Sequence, residues 1–324
     1  MTDLAAILEA NARLEGHVRR TPLLESPFLN DIAGRRVLVK PECLQHTGSF
    51  KFRGAWSAIS ALPEEQRANG VLAYSSGNHA QGIASAARAH GIPAVIIMPD
   101  NAPTLKLENT RALGAEVVTY DRAGGESREA IGTKIANERG LTLIRPYDEP
   151  MVIAGQGTTG LEIAGQATEM GIITAEVLVC CGGGGLTSGI ALALEGKAPD
   201  MTVRPVEPQG FDDVARSLRA GTIQSNPTEV GLCDAILTKQ PGEITFPIMQ
   251  RLCGAGIAVS DVEALDAIAQ AFLRLKIVAE PGGAVALAAA LYHGDELDAD
   301  TVIAVVSGGN VDPVVFGRAL ARLG

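Results

Sequence analysis

From Val71 onward, short apolar runs alternate with longer stretches in which apolar residues recur every three or four positions. The runs VLAYSS, AVIIM, EVVTY and LTLI read as strands, and HAQGIASAARAH, TLKLENTRAL and residues 128–139 read as helices. Gly91 and Gly114 close the first two helices just before the next strand, as glycine does where a helix ends in a left-handed turn. Strands that are apolar throughout belong to a parallel sheet covered on both faces. A second series follows Pro150: a helix over 160–170, strand EVLVCC, the run GGGG, a helix from Leu186, strand MTVRPV and a helix over 212–220. Helices over 262–278 and 284–293, strand TVIAVVS and a helix over 311–323 complete it. The pattern predicts an α/β protein of two domains, each an open, mainly parallel sheet flanked by helices. Residues 49–146, with a core at about 70–146, form the smaller domain, which closes over a cleft. Residues 1–48 and 147–324 form the larger.

In open parallel sheets, ligands bind where the carboxyl ends of strands meet helix amino termini. The loops after VLAYSS, EVLVCC and TVIAVVS are therefore the candidates to line the cleft. Composition narrows the choice of ligand. A formal charge of −10 offers no basic field for a nucleic acid or an anionic membrane surface. The apolar runs are far shorter than the roughly 18 to 20 residues that cross a bilayer, and the acidic amino-terminal stretch does not read as a signal peptide. Five cysteines (43, 180, 181, 233 and 253) lack zinc-ligand spacing and fit a reducing cytoplasm.

Four local features carry candidate chemistry. Lys51 stands between two aromatics in S-F-K-F-R-G-A, just ahead of a helix; alone it reads as a solvated lysine. Gly182, Gly183, Gly184 and Gly185, followed by Leu186, join a strand to a helix, so bare amides and the helix dipole can hold a dianion such as phosphate. Ser75-Ser76-Gly77-Asn78-His79 offers hydroxyls, an amide and helix-start N–H groups at the end of another strand. Ser307-Gly308-Gly309-Asn310 ends a third, where a hydroxyl can face a ring nitrogen or cap the next helix.

Taken in order, these features resemble the fold-type II pyridoxal-phosphate enzymes (the tryptophan synthase β-like fold), and within them the threonine/serine dehydratase and serine racemase branch. The likeness extends to Thr21-Pro22, Lys40-Pro41-Glu42, Ala154-Gly155-Gln156-Gly157-Thr158 and Glu280-Pro281, and so covers nearly the whole chain. It implies that Lys51 anchors pyridoxal 5′-phosphate covalently, with Phe50 near the ring, Asn78 at the 3′-oxygen, Gly182 to Leu186 around the phosphate and Ser307 facing the pyridine nitrogen. Ser75, Ser76, His79, Arg128 and Thr238 are implied on the substrate side. Lys51 would take the Cα proton. Ser76 would either return a proton from the opposite face or hold the substrate carboxylate. The activity implied is an ammonia-lyase that turns L-threonine or L-serine into a 2-oxo acid and ammonia. A homodimer is implied too, and neither nucleic acid nor membrane is expected as a partner.

Glu207-Pro208-Gln209-Gly210-Phe211-Asp212-Asp213 resembles the divalent-metal loop of serine racemases, with Glu207, the Phe211 carbonyl and Asp213 as the implied ligands of Mg²⁺, Ca²⁺ or Mn²⁺. The same stretch reads otherwise as an acidic helix start. Arg128 could pair with a second substrate carboxylate, which favours 3-hydroxyaspartate. Tyr147 departs from the phenylalanine or asparagine common in relatives, and Glu280-Pro281-Gly282-Gly283 has glycine where serine or alanine is common. Alternatives on the same scaffold are a 3-hydroxyaspartate ammonia-lyase, a serine or aspartate racemase, and a cysteine synthase or tryptophan synthase β-like enzyme. From another class comes a cofactor carrier or sensor without turnover. A dinucleotide oxidoreductase is disfavoured, because no G-x-G-x-x-G follows a strand.

Overall fold

The computed structural model describes residues 2–75, 77–102, 104–121, 124–228 and 230–323. Ten strands, β1 (Leu24–Glu25), β2 (Arg36–Pro41), β3 (Val71–Tyr74), β4 (Ala94–Pro99), β5 (Glu116–Tyr120), β6 (Thr142–Leu143), β7 (Ala175–Cys180), β8 (Met201–Pro208), β9 (Ile257–Val259) and β10 (Thr301–Val306), build two sheets among these residues. The larger has the order β1-β2-β10-β7-β8-β9, and every pair except β1–β2 is parallel. The smaller, β5-β4-β3-β6, is parallel throughout.

Strand order decides where a ligand can enter. In the smaller sheet the chain runs from β3 outward to β4 and β5, then returns to the other side of β3 as β6. In the larger it runs from β7 to β8 and β9, then places β10 on the other side of β7. Successive connections thus leave in opposite directions at β3 and at β7, opening a crevice at the carboxyl end of each. The loops after β3, β7 and β10 meet there, as expected from the sequence.

The apolar runs became strands because both faces are covered: β7 is buried at every position, and β10 everywhere but Thr301. Helix Pro281–Tyr292, rich in alanine, is buried along nearly its whole length against the larger sheet, since small side chains let it lie close. The helix expected over 160–170 instead runs from Pro150 to Glu169. The helix expected over 262–278 is α-helical only over Asp261–Gln270, then widens into a π-turn that Lys276 ends with φ 61°. All five cysteines are free. No helix among the described residues is long and apolar enough to cross a membrane.

Candidate active site

A cavity of about 670 Å³ opens between the two sheets. Its wall includes Phe50, Lys51, Ser75, Asn78 and His79, then Gly182 to Leu186, together with Arg128, Arg145 and Thr238. Residues from positions 50 to 310 thus converge on one space.

Lys51 opens helix Lys51–Ser60, and the chain ahead of it is stitched to the end of β10. Ser49 bridges Gly308 antiparallel, and the Phe50 N–H donates to the Ser307 carbonyl at 3.1 Å. The Lys51 ammonium lies 5.0 Å from the Phe50 ring centroid and donates to the Pro146 carbonyl at 2.8 Å. Loss of water at the cavity wall pulls its pKa down to about 8, so roughly a tenth of the amine is neutral and nucleophilic at pH 7, far more than for a solvated lysine. Burial, and then the charge of Lys51, depress His79 to about 3, so its imidazole is neutral. One ring nitrogen of His79 is 3.1 Å from the Ile144 carbonyl, and the other, Nδ1, is buried without a partner.

Two residues on, Arg53 explains why the lysine holds its place. Its guanidinium is fully buried and pairs with Glu42 (2.7 and 2.8 Å) and Glu162 (2.7 and 3.0 Å). Lys40 closes the cluster on Glu162 at 2.6 Å and the Thr21 carbonyl at 2.7 Å, while the Thr21 hydroxyl donates to Glu42 at 2.7 Å. Two cations face two carboxylates, so no net charge is buried. Burial pushes the Glu42 carboxyl up, but Arg53 and Lys40 more than offset this and hold it below the usual range. Thr21, Lys40 and Glu42, noticed in the sequence only as motif fragments, are thus one clamp on the lysine-bearing helix. Arg53 and Glu162 complete it.

At the glycine run, helix Gly185–Lys197 begins after Gly184 in a left-handed turn (φ 90°). Its first amides have no intrahelical acceptor and lie on the cavity wall, where an anion can take them. A side chain at Gly183 would collide with the Tyr147 ring, and a Cβ at Gly182 would stand 2.6 Å from the Ile236 carbonyl. Only bare backbone therefore fits between Tyr147, Ile236 and the anion space.

Asn78 begins helix Asn78–Ala89 and is gripped at both ends of its amide: it donates to Glu280 at 2.6 Å and accepts from Asn310 at 2.7 Å. Burial raises Glu280 to about 7, against the Asn78 hydrogen bond, and Asp234 adds to the rise. Ser307, at the end of β10, is buried with its side chain against Cys180, which lines the cavity. Its backbone is engaged from both sides, by the Gly283 carbonyl and the Phe50 N–H, which ties it into the wall behind. Ser76 lies outside the described residues.

The acidic loop after β8 is separate from the cavity. Both oxygens of Glu207 accept backbone N–H groups, from Val214 at 2.9 Å and Ala215 at 2.7 Å, so it caps the helix Asp213–Ala220. Burial, then Asp213, raise Glu207 well above the carboxylate range, and burial raises Asp213 to about 6. Asp213 Oδ2 is buried without a hydrogen-bond partner. Phe211 ends the tight turn that starts at Pro208. No cluster of three or more His, Cys, Asp or Glu able to hold a metal occurs among the described residues. Two crowded carboxylates with an unused oxygen nevertheless fit a divalent cation completed by backbone and water.

A group bearing an aldehyde, a phosphate and a heteroaromatic ring fits the cavity. For such a group Lys51 offers an amine, the helix start at Gly185 free N–H groups, and Phe50 and Asn78 side chains on the same wall. Sequence reasoning missed Arg145, Cys180, Lys106 and Asp234 on the wall, since none carries a motif of its own. Comparison with known proteins agrees with the geometry. Residues 14–308 match the family described as pyridoxal-phosphate dependent enzyme. An L-threo-3-hydroxyaspartate ammonia-lyase of Pseudomonas sp is 43% identical over 306 residues, 94% of each chain. The crystal structure of a T.th. threonine deaminase has a TM-score of 0.89 at 44% identity, covering 96% of this chain and 99% of its own. Maize serine racemase has a TM-score of 0.90 at 37% identity, covering 99% and 98%. This chain belongs to the fold-type II pyridoxal-phosphate-dependent enzymes and is an enzyme of the lyase type.

Proposed function

We propose that the protein is an ammonia-lyase for β-hydroxy amino acids that carry a second carboxylate, 3-hydroxyaspartate above all, rather than for threonine or serine. The observation that carries this reading is the pair of guanidinium groups, Arg128 and Arg145, on the same cavity wall as the Lys51 amine. On the same wall, burial and then Glu129 raise the Tyr74 hydroxyl, against a hydrogen bond with Thr133 and the positive charge of Arg145 and Arg128. Arginine meets carboxylate with two parallel hydrogen bonds. Arg128 rests at present against Glu129 at 2.7 Å, an exposed pair that a bound carboxylate can displace at low cost. The 43% identity to an L-threo-3-hydroxyaspartate ammonia-lyase supports the same reading.

The chain's own groups divide the work. N–H groups and side chains at the start of helix Asn78–Ala89 receive the α-carboxylate, which suits the positive end of a helix. Lys51 holds the cofactor and, once released by substrate, has a free amine whose depressed pKa lets it take the Cα proton. Pyridoxal phosphate, when bound, supplies the electron sink for the pair left at Cα. The pair at Cα closes the Cα–Cβ double bond as the β-hydroxyl leaves with its C–O pair and takes back the proton held by Lys51 as water; a water then adds and ammonia leaves, so 3-hydroxyaspartate yields oxaloacetate plus ammonia in balance. We further propose that Glu207, Phe211 and Asp213 hold a divalent cation, Mg²⁺ first, that stabilises the loop.

A panel of L- and D-serine, L- and D-threonine and the four 3-hydroxyaspartates, scored for ammonia and 2-oxo acid with and without Mg²⁺, tests this. The expected result is the highest kcat/KM on a 3-hydroxyaspartate. Arg128→Ala is expected to cut that value about 10- to 100-fold, the worth of one charge-assisted pair, and to leave serine turnover within about threefold. Equal slowing on both substrates would remove Arg128 from the role.

A further inference from the structure

Four glycines in a row let an anion come close, but they also deprive the loop of stiffness, so something outside the run must hold it in shape. We infer that Thr245 is a positioning residue for the anion site: its hydroxyl holds the Gly183 carbonyl back from the anion space and thereby aims the next N–H into it. The inference rests on the glycine run as the seat of the cofactor phosphate and adds the side chain that shapes it.

Glycine has the widest choice of backbone conformation and loses the most freedom when it is ordered. The peptide between Gly183 and Gly184, with glycine on each side, can turn over at little steric cost, and its two orientations differ in chemistry. In one, the carbonyl oxygen faces a bound anion and repels it; in the other, the N–H faces the anion and donates. Carbonyl and N–H point in opposite directions across a planar trans peptide, so whatever holds the Gly183 oxygen also aims the Gly184 N–H. Here the Gly183 oxygen accepts from Thr245 Oγ1 at 2.6 Å and from the Gly242 N–H at 3.2 Å. The Gly184 N–H is thereby turned away from Thr245.

Thr245 can do this because it is itself fixed. It is fully buried and opens the helix Thr245–Leu252. Its hydroxyl has one proton to give, and of its two carbonyl acceptors Gly183 at 2.6 Å is far nearer than Gly242 at 3.3 Å. Its own carbonyl accepts from Ser188 Oγ at 3.1 Å, in the first turn of the helix that follows the glycines. One residue thus grips the loop on both sides of Gly184, by its hydroxyl before and by its carbonyl after. Asp148 secures the segment ahead of Thr245, accepting the Glu243 N–H at 3.2 Å and the Ile244 N–H at 2.8 Å. Packing closes the remaining freedom: a Cβ at Gly184 would stand 2.6 Å from Met249 Cε and 2.9 Å from Thr245 Oγ1. The start of helix Thr245–Leu252 is therefore the floor on which the glycine loop rests, and the hydroxyl is the part of that floor that chooses the peptide's orientation.

The test measures, by calorimetry on the full chain stripped of cofactor, the binding of pyridoxal phosphate and of pyridoxal, which lacks the phosphate. The wild type is expected to hold pyridoxal phosphate at least about tenfold more tightly than pyridoxal, as charge-assisted contacts to an anion require. Thr245→Val, equal in shape but without the donor, is expected to raise the Kd for pyridoxal phosphate about tenfold and that for pyridoxal by less than about threefold. Thr245→Ser, which keeps the hydroxyl, is expected to stay within about threefold of wild type for both. Thr245→Ala repeats the comparison should the valine variant fail to fold. Unchanged affinity without the hydroxyl, equal weakening of both ligands, or a serine variant as weak as valine overturns the positioning role and leaves the anion site standing. A wild type that binds both ligands equally overturns the anion site and the positioning role with it.

Discussion

Lys51 shows how one side chain acquires its chemistry from its surroundings. A solvated lysine is almost wholly charged at neutral pH, whereas this one has lost enough water to sit at about 8. The sign follows directly: the neutral amine is the nucleophile, so its fraction rises as pH rises through the lowered value. The rate at which the cofactor-free protein takes up pyridoxal phosphate should therefore climb between about pH 7 and 9 and then level off. A climb centred near 10.5, the value of a free lysine, would show that the burial does not act as described. Lys51→Ala should abolish both the cofactor's visible absorbance and all 2-oxo acid formation. The position of Lys51 was legible because its neighbours form an uncommon string. The task of Arg53 was not, because its partners lie 11 positions back at Glu42 and 109 positions on at Glu162.

Among the elements, helix Pro150–Glu169 carries the clearest lesson. Five glycines and threonines between positions 155 and 160 read as a poor helix, and the sequence pattern placed its start near 160. Tertiary packing reverses that preference, because the same small residues let neighbouring helices approach. A Cβ at Gly155 would stand 2.6 Å from the Arg53 carbonyl and 2.6 Å from Ser57 Cβ. Gly155→Ala gains helix propensity but overpacks this crossing, so a loss of about 1 to 3 kcal/mol is expected in urea unfolding. Because the crossing bears the helix of Lys51, weaker cofactor retention should accompany it. A variant of unchanged or greater stability would refute the close-packing argument.

For the whole molecule, the cavity exists only because two sheets face each other, and one ion pair crosses its mouth. Lys106, on the helix Thr104–Ala112 beside the smaller sheet, meets Asp234 on the other side at 2.9 Å. Both side chains are partly exposed, and an exposed pair contributes at most about 1 kcal/mol. Lys106→Ala should accordingly leave the unfolding midpoint nearly unchanged and act on cleft closure instead, raising substrate KM by no more than about fivefold. Added salt should raise KM in the wild type and much less in the variant, since screening removes the same attraction. A KM insensitive to both changes would exclude the pair from closure.

What the sequence determined by itself was local or strongly patterned: most of the strands, the smaller sheet's helices, the three strand-end loops and the lysine between aromatics. Apolar runs, helix-closing glycines and motif strings all act within a few positions of themselves, so one chain suffices to read them. The tertiary structure alone decided that β10 inserts between β2 and β7, and so which loops share a crevice. It also decided that Cys180 and Arg145 come to the cavity wall. Only it linked Thr245 to Gly183, residues separated in sequence by 62 positions. Such choices depend on packing and on pairing buried polar groups across the fold, and no periodicity along the chain encodes them.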